Sequence, residues 1–236
     1  MRNDLTIYDQ IADQWWSEEV QWIRILRNLA KGRLAWFDQV LDWQGKEVLD
    51  LGCAGGFMAE AIAKRGARVT GIDPAQKAVE IAKSHAESER LSIKYDVGVG
   101  ENLPYADQTF DIVVCVDVLE HVLDLNRVID EIARVLKPGG YLAYDTINRT
   151  RLARFATITL AEDILGILPR GTHDPNLFIK SSELKSVMET AGLTVDPIVG
   201  LGPNGINKRF DPTFGRVPFT GIIYMGIAQL KGEDQF

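Results

Sequence analysis

The chain has 236 residues, of which 46% are hydrophobic and 25% are charged, a balance that excludes a disordered protein and indicates one globular domain with additions. Its net charge of −7 argues against nucleic acid as the main substrate, because binding phosphates needs a basic surface. Two cysteines, no apolar run of bilayer-spanning length and no apolar signal core exclude a disulfide scaffold and a transmembrane protein, so we expect a cytoplasmic protein.

Residues 1–44 predict a helical cap that precedes the main domain. They contain all five tryptophans, Trp15, Trp16, Trp22, Trp36 and Trp43. Such a cluster either packs against the core of the domain or covers a flat, apolar substrate, and both can hold at once.

From residue 46 the pattern alternates between strand and helix, which is typical of parallel βαβ units. Strands are predicted over the apolar run that starts at Glu47 and over residues 69–73, 91–97, 110–116 and 141–146, and helices over residues 57–65, 75–87 and 125–136. An insertion follows at 147–180, then a helix near 182–191 and two β-rich segments around 193–199 and 220–230. We therefore predict a doubly wound, mostly parallel, seven-stranded α/β sheet in one domain, with cap 1–44, core 45–146, lid 147–180 and completion 181–236.

A loop of small residues follows the first strand. Gly52, Gly55 and Gly56 let the backbone turn sharply and let a ligand approach without a Cβ in the way. Asp50, within the strand, would either fix this loop through its amides or face the charged end of a ligand. The second strand ends on Asp73, where a carboxylate suits the two ribose hydroxyls of a nucleoside.

Two classes of cofactor use this layout, and the loop distinguishes them. A dinucleotide-binding loop has the pattern G-x-G-x-x-G, whose third glycine admits a pyrophosphate to the helix N-terminus. The corresponding residues here are Gly52, Ala54 and Phe57, and Phe57 would crowd a pyrophosphate. We therefore predict S-adenosylmethionine, a nucleoside with an amino-acid tail and no phosphate. A glycine-rich turn in another kind of α/β protein is the alternative.

A second polar group, Asp117, Glu120 and His121, follows the fourth strand and reaches the same sheet edge if all the strands are parallel. If Asp117 opens a helical turn, Glu120 and His121 share its face at positions i+3 and i+4. Two carboxylates and one imidazole would hold Mg²⁺, with water and substrate oxygens completing the shell, or Zn²⁺. Alternatively, His121 is a general base, since histidine has a reference pKa of about 6.5, or it only caps the following helix.

Several segments resemble the class I S-adenosylmethionine-dependent methyltransferases over about residues 45–146; they are residues 48–53, Asp73, residues 101–104 and residues 136–140. More narrowly, the chain resembles the ubiquinone-biosynthesis O-methyltransferase family, which methylates catechol and hydroxyphenol rings carrying polyprenyl tails. The motifs specific to that family are residues 117–122, Asn148-Arg149, residues 165–174 and residues 178–180. Generic methyltransferases lack the block at 165–174.

The resemblance implies a Rossmann-like O-methyltransferase that acts on a catechol, hydroxyphenol or quinone precursor. Arg33, Gly52, Asp73 and Val116 correspond to the family's cofactor-binding residues, and Asp117, Glu120 and His121 correspond to its Mg²⁺ ligands. In the implied reaction Mg²⁺ or His121 helps to deprotonate a ring hydroxyl, whose oxygen attacks the sulfonium methyl. Another phenolic or nitrogen substrate, or a non-catalytic membrane-associated subunit that holds the cofactor, are the alternatives.

The predicted cofactor site also includes Asp50, Gly55 and Glu101, and the sequence departs from the superfamily pattern at two positions of this site. Val99 stands where the superfamily usually has an acid that contacts adenine, so we expect Glu101 or main-chain groups to make this contact. Ala54 replaces the usual middle glycine of the loop, a small change that we expect the loop to tolerate.

The insertion carries an apolar helical stripe, namely Leu152, Phe155, Ala156, Leu160, Ile164, Leu165 and Leu168. Its polar residues, which we expect on the solvated side of this helix, are Arg151, Arg154, Glu162 and Asp163. The stripe is too short and too charged to span a bilayer, so residues 151–168 either dock on the core of the domain or lie in a membrane interface. Members of the family associate with membranes peripherally through this region, and Arg149, Arg151 and Arg154 would meet anionic head groups. His173 lies in a polar turn of the same insertion, and loops of this kind often contact substrates.

Overall fold

The computed structural model describes residues 3, 6–164, 166 and 169–232. Its helices are α1 (Thr6–Gln10), α2 (Gln21–Phe37), α3 (Phe57–Ala63), α4 (Gln76–Ser88), α5 (Leu125–Val135), α6 (Arg151–Arg154) and α7 (Ser181–Thr190), with a 3₁₀ turn at Ala12–Gln14 and a π-helix at Phe155–Ile164. Its strands are β1 (Glu47–Leu51), β2 (Arg68–Asp73), β3 (Ile93–Val97), β4 (Phe110–Cys115), β5 (Leu136–Ile147), β6 (Leu193–Val195), β7 (Val199–Ile206), β8 (Pro212–Val217) and β9 (Ile223–Leu230).

All of these strands belong to one nine-stranded sheet, in the order β3-β2-β1-β4-β5-β9-β7-β8, with β6 paired to β9 beside that path. The five strands β1 to β5 are parallel to one another, whereas β9 runs antiparallel to β5, β6 and β7. The predicted fold class, a doubly wound and mostly parallel α/β sheet, is therefore confirmed.

The predicted count of seven strands was too low, because residues 199–217 form the hairpin of β7 and β8. This stretch contains Gly200, Gly202, Pro203, Gly205 and Gly215. Glycine and proline are depleted in strands, so the local sequence does not show the hairpin. Pairing with β9 and packing against α2 hold it in place.

The two faces of the sheet are covered by different helices, because successive side chains of a strand point to opposite faces. Leu49 and Val113 belong to the apolar cluster that includes residues of α5 and α7. The adjacent Val48 and Ile112 belong to the cluster that includes residues of α2 and α3. All four side chains are almost fully buried, so the sheet forms the middle of three layers.

The strand register brings the ends of β1, β2 and β4 to one edge of the sheet. Leu51 pairs with Ile72 of β2 and with Cys115 of β4. The residues at or just after these strand ends, Gly52, Asp73 and Val116, therefore emerge side by side. Ligands of open α/β sheets bind at this carboxyl edge.

The insertion begins as one turn of α-helix and continues as a π-helix. Thr150 starts it, because the Thr150 hydroxyl accepts a hydrogen bond from the Ala153 amide at 2.9 Å. The buried side chains of Ala153 and Ile158 pack with Ile147 and Phe178. The wider i→i+5 spacing of a π-helix changes which residues share a face, so the α-helical stripe predicted from the sequence is only partly docked.

Four residues of the stripe are exposed: Leu152 by 47%, Phe155 by 52%, Leu160 by 38% and Ile164 by 65%. Leu165 and Leu168 lie outside the described residues. Among the helices that the structure describes, none has the length and hydropathy needed to cross a bilayer.

Candidate active site

A cavity of about 1190 Å³ opens at the carboxyl edge of the parallel strands. One part is lined by the glycine loop and the strand ends, with Asp50, Gly52, Asp73, Glu101, Val116 and Asp117 on its wall. Another part is apolar and is lined by Leu201, Pro203, Phe214, Val217, Phe219 and Ile223. The volume slightly exceeds the usual range for small-molecule sites, about 300–1,000 Å³, so the cavity has room for two ligands side by side.

Two positions of the glycine loop have backbone conformations that glycine adopts without strain and other residues do not. Gly52 has φ +77°, and its amide donates to the Ile72 carbonyl at 2.8 Å. A Cβ at this position would overlap the side chain of Val118. Gly56 has φ +92° and forms the N-cap of α3, so the loop leaves its backbone open toward the cavity.

Asp73 holds the loop and faces the cavity at once. Its Oδ2 accepts a hydrogen bond from the Ala54 amide at 2.9 Å, and its Oδ1 accepts one from the Ala75 amide at 2.8 Å. Burial raises the pKa of Asp73 to about 6, although these two amides oppose the shift. Each carboxylate oxygen can accept a second bond, which is what two vicinal ribose hydroxyls require.

Asp50 is buried below the loop, and its Oδ2 has no hydrogen-bond partner among the described residues. Burial raises the pKa of Asp50 to about 7. An orphaned buried carboxylate oxygen is costly, so a cationic donor in the cavity would stabilise it. The amino group of S-adenosylmethionine is such a donor, and Asp50 and Asp73 together fit this cofactor.

Arg33 joins two carboxylates, Asp145 of β5 and Asp117 in the loop after β4. Its Nε donates to Asp145 Oδ2 at 2.6 Å, and its Nη2 donates to Asp117 Oδ1 at 2.5 Å. Burial alone would lower the pKa of Arg33, but Asp117 and Asp145 raise it above its usual value. The guanidinium lines the cavity beside the end of β4.

Asp117 does not open a helical turn, contrary to the expectation from spacing. It has φ +54°, and no helix is assigned between β4 and α5. Its amide donates to Asp145 Oδ1 at 2.8 Å, so Asp145 and Arg33 together hold this left-handed conformation. The Asp117 carboxylate is consequently directed to Arg33.

Gly55 and Glu101 differ in how they meet the cavity. Glu101 lines it, and its Oε1 accepts a hydrogen bond from the Leu123 amide at 3.4 Å. Gly55 is not among the lining residues. It lies directly under the Trp15 ring, and its carbonyl accepts a hydrogen bond from Trp16 Nε1 at 3.0 Å. Its role in cofactor binding therefore stays a prediction.

Four of the five tryptophans divide between the two roles that the sequence predicted, core packing and covering the site. Trp36 and Trp43 are buried in the core, whereas Trp15 and Trp22 line the cavity. Tyr8 of α1 lines it as well. The N-terminal segment thus both packs on the domain and covers the site.

A second cluster contains Glu120, His121 and His173, which are all buried. Their potential ligand atoms lie within 4.8 Å of one another, and the two imidazole rings are 5.1 Å apart between centroids. Glu120 Oε1 and His121 Nε2 have no hydrogen-bond partner among the described residues. Burial, and then His173, lower the pKa of His121 to about 3, so its ring is neutral at neutral pH.

The sequence analysis did not predict the roles of three residues that complete these networks, Asp145, Glu162 and Asn3. Asp145 could have been found, because it lies in the strand next to β4 and near the same sheet edge. Glu162 was treated as part of the solvated face of the stripe, but it is 1% exposed and accepts a hydrogen bond from His173 Nδ1 at 2.8 Å. Asn3 contacts His121 across 118 positions, which no local pattern reveals.

Comparison with known proteins gives consistent results. A family described as a methyltransferase domain matches residues 49–144. The ubiquinone biosynthesis O-methyltransferase of Coxiella burnetii (strain RSA 331 / Henzerling II) is 39% identical over 210 residues, which cover 89% of each chain. The protein of the same name from Pseudomonas syringae pv. tomato is 39% identical over 210 residues, covering 89% of this chain and 90% of that protein.

Solved structures agree on the fold. A S-adenosylmethionine-dependent methyltransferase from Thermotoga maritima, described as a possible histamine N-methyltransferase, has a TM-score of 0.67 at 20% identity, with 97% of this chain and 100% of that chain covered. A S-adenosylmethionine-dependent methyltransferase from Aquifex aeolicus has a TM-score of 0.62 at 18% identity, with 84% and 89% covered. At these identities the likeness concerns the fold alone.

Proposed function

The chain belongs to the ubiquinone biosynthesis O-methyltransferase family, and from this membership we propose that it transfers the methyl group of S-adenosylmethionine to a ring hydroxyl of a phenolic quinone precursor. The observation that carries the proposal is the continuous cavity, in which a wall with Asp50 and Asp73 adjoins a large apolar part. The polar wall suits a nucleoside with an amino-acid tail. The apolar part suits an aromatic ring with an aliphatic substituent.

The proposed cofactor site assigns a role to each predicted residue. Asp73 accepts hydrogen bonds from the ribose hydroxyls, and Asp50 meets the amino group of the cofactor. Gly52 and Val116 shape the wall, Gly55 supports the loop through Trp15, Glu101 lies toward the adenine, and Arg33 fixes the end of β4. When bound, S-adenosylmethionine supplies an electrophilic methyl group.

The residues of this chain contribute mainly positioning and a dry environment. Trp15, Trp22 and Tyr8 cover the cavity from the N-terminal side, and Phe214 and Val217 hold its far wall. Excluding water and orienting the acceptor oxygen against the methyl group lowers the entropic part of the barrier. His121 lines the same cavity, and without a bound cation its Nε2 is the proposed acceptor of the hydroxyl proton.

A divalent cation is a second part of the proposal. Glu120 Oε1 and His121 Nε2 are buried and have no partner among the described residues, and both atoms are suitable ligands for a divalent cation. A bound cation would supply Lewis acidity that lowers the pKa of a hydroxyl. Chelation should then reduce methyl transfer, and Mg²⁺, the metal implied by the resemblance, is the first to be added back. Full activity after thorough chelation would remove the cation from the proposal.

Transfer of a labelled methyl group tests the main proposal. The wild-type chain, S-adenosylmethionine labelled at the methyl group and catechols with no tail, a short tail or a long apolar tail should give a labelled ether, with the lowest KM for the tailed acceptors. A labelled amine from nitrogen acceptors, with no labelled ether, would select the nitrogen-methylating alternative. Tight cofactor binding with no transfer to any acceptor would indicate a non-catalytic subunit.

We also propose that the insertion contacts membranes peripherally. Leu152, Phe155 and Ile164 are about half exposed or more on residues 151–164, and Arg151 and Arg154 are exposed next to them. Arg149 is instead paired with Glu183 at 2.8 Å. Apolar groups flanked by exposed arginines suit an interface rich in anionic lipid.

Flotation with anionic liposomes tests this contact. The wild-type chain should float at low salt and dissociate as the salt concentration rises. Phe155→Glu with Ile164→Glu should abolish flotation, whereas Ile206→Glu with Phe210→Glu, which changes two exposed apolar residues of the β7–β8 hairpin, should not. Flotation that survives the first pair and is lost with the second would place the contact on the hairpin.

A further inference from the structure

Two different sets of residues compete for the proposed cation. The family resemblance names Asp117, Glu120 and His121. In the structure the Asp117 carboxylate is paired with Arg33, and the potential ligand atoms that lie within 4.8 Å of one another belong to Glu120, His121 and His173. The set that includes Asp117 therefore does not fit this chain.

We propose that the metal site of this chain consists of Glu120, His121 and His173, and that it selects a zinc-like cation over Mg²⁺. This inference refines the cation proposed above and does not depend on methyl transfer. It also assigns a role to His173, which lies in the insertion and not in the core.

The hydrogen bonds around the cluster are those that metal-binding side chains usually make. Histidine ligands generally donate their second ring N–H to a carboxylate or another oxygen, which fixes the tautomer and the ring orientation. His173 Nδ1 lies 2.8 Å from Glu162 Oε1, and His121 Nδ1 lies 2.6 Å from Asn3 Oδ1. Because both contacts use the Nδ1 atoms, we expect the metal to bind the Nε2 atoms of the two rings.

Glu120 is supported in the same way. Its Oε2 accepts a hydrogen bond from the Thr146 hydroxyl at 2.9 Å, while its Oε1 has no partner among the described residues. Ligating carboxylates are commonly held by such a bond on one oxygen. The cluster therefore has two imidazoles and one carboxylate oriented by neighbouring groups before any metal binds.

The donor set determines which metal the cluster prefers. Two imidazole nitrogens and one carboxylate oxygen form a common catalytic zinc set, in which a fourth position stays open for water or substrate. Mg²⁺ instead requires oxygen ligands in a near-octahedral arrangement and keeps several waters. We therefore expect Zn²⁺ to bind about 100-fold or more tightly than Mg²⁺.

The ligands come from two separate parts of the chain. Glu120 and His121 follow β4, whereas His173 and its partner Glu162 belong to the insertion. A metal bound by all three joins the insertion to the core. Since the insertion also lines the cavity through Ala156 and Thr157, metal binding would fix one wall of the site.

The first test measures metal binding by the chelator-treated chain without cofactor or acceptor. Calorimetry and elemental analysis should find one Zn²⁺ per chain. His173→Ala should lower the zinc affinity about 100-fold or more, and Glu162→Gln about 10–100-fold. His85→Ala, which changes a histidine outside the cluster, and Asp117→Asn should leave the affinity within about threefold, and circular dichroism checks that each variant is folded.

A second measurement uses only the wild-type chain, so it tests the inference even if a substitution prevents folding. X-ray absorption at the zinc edge of the wild-type chain counts the bound imidazoles, and we expect two, whereas the set with Asp117 contains one. Zinc should also slow proteolysis within residues 150–180. One imidazole, loss of zinc in Asp117→Asn but not in His173→Ala, or tighter binding of Mg²⁺ than of Zn²⁺ would each overturn the inference. Because methyl transfer is not part of these assays, their failure is distinct from failure of the enzyme.

Discussion

Replacing Gly52 with alanine should destabilise the fold in two ways, through backbone strain and through a clash with Val118. Gly52 has φ +77°, and a Cβ there would lie 2.1 Å from Val118 Cγ2. The left-handed conformation costs an alanine about 1–2 kcal/mol. Relieving the overlap costs about 1–3 kcal/mol more, because valine is stiff about χ1 and cannot simply rotate away. We therefore expect Gly52→Ala to lower the free energy of unfolding by about 2–5 kcal/mol.

Gly139 offers a matched control, because it has the same φ of +77° but a Cβ there would meet no atom within 4 Å. Gly139→Ala should lose only the conformational part, about 1–2 kcal/mol. Urea unfolding of both variants gives the difference that belongs to the Val118 contact. Calorimetry with S-adenosylmethionine should show an affinity loss of about tenfold, or 1.4 kcal/mol, in Gly52→Ala alone, because Val118 lines the cavity. Equal stability of the two variants, or an unchanged cofactor affinity in Gly52→Ala, would refute this reasoning.

Three further predictions concern the charged groups of the site. Asp73→Asn should weaken cofactor binding by about 1.5–3 kcal/mol in calorimetry, while the wild-type chain should not bind NADH measurably. Since the pKa of Asp73 is raised to about 6, cofactor affinity should fall as the pH drops through 6, where the carboxylate becomes protonated. This dependence should be smaller in Asp73→Asn, where the dependence that remains belongs to Asp50, whose pKa is raised to about 7. Arg33→Met should cost about 3–5 kcal/mol of unfolding free energy, because Asp117 and Asp145 lose their cation, and Asp145→Asn added to it should recover part of the loss in a double-mutant cycle.

The cofactor end of the site could be predicted because its signals are local. Each parallel strand is followed by a loop or helix with its own pattern, and parallel strands present their carboxyl ends at one edge. Asp50, Gly52, Asp73 and Val116 consequently line the cavity where the strand order placed them. Their binding roles remain predictions that the Asp73 and Gly52 variants test.

The conformation of Asp117 could not be predicted, because its causes are distant in sequence. Helical spacing suggested that Asp117 and His121 share a face, but Arg33 and Asp145 hold Asp117 in a left-handed conformation from α2 and β5. A buried cation paired with two carboxylates outweighs a weak local preference for a helical turn. The burial of Glu162 could not be predicted either. An α-helical pattern places Glu162 on the solvated side, whereas in the π-helix it is buried.

Under the proposed function, the division of the cavity predicts which segments select the acceptor. The parallel core supplies the wall that suits the cofactor, whereas Phe214 and Val217 of the hairpin and His173 of the insertion line other parts of the cavity. The hairpin packs closely against α2 at Gly32, where any larger residue would clash: a Cβ on Gly32 would lie 2.5 Å from the Phe214 carbonyl oxygen. The backbone of β8 can therefore approach α2 closely, and this places Phe214 on the cavity wall. Since these segments lie outside the cofactor wall, changes in them can alter the acceptor while the cofactor site is retained.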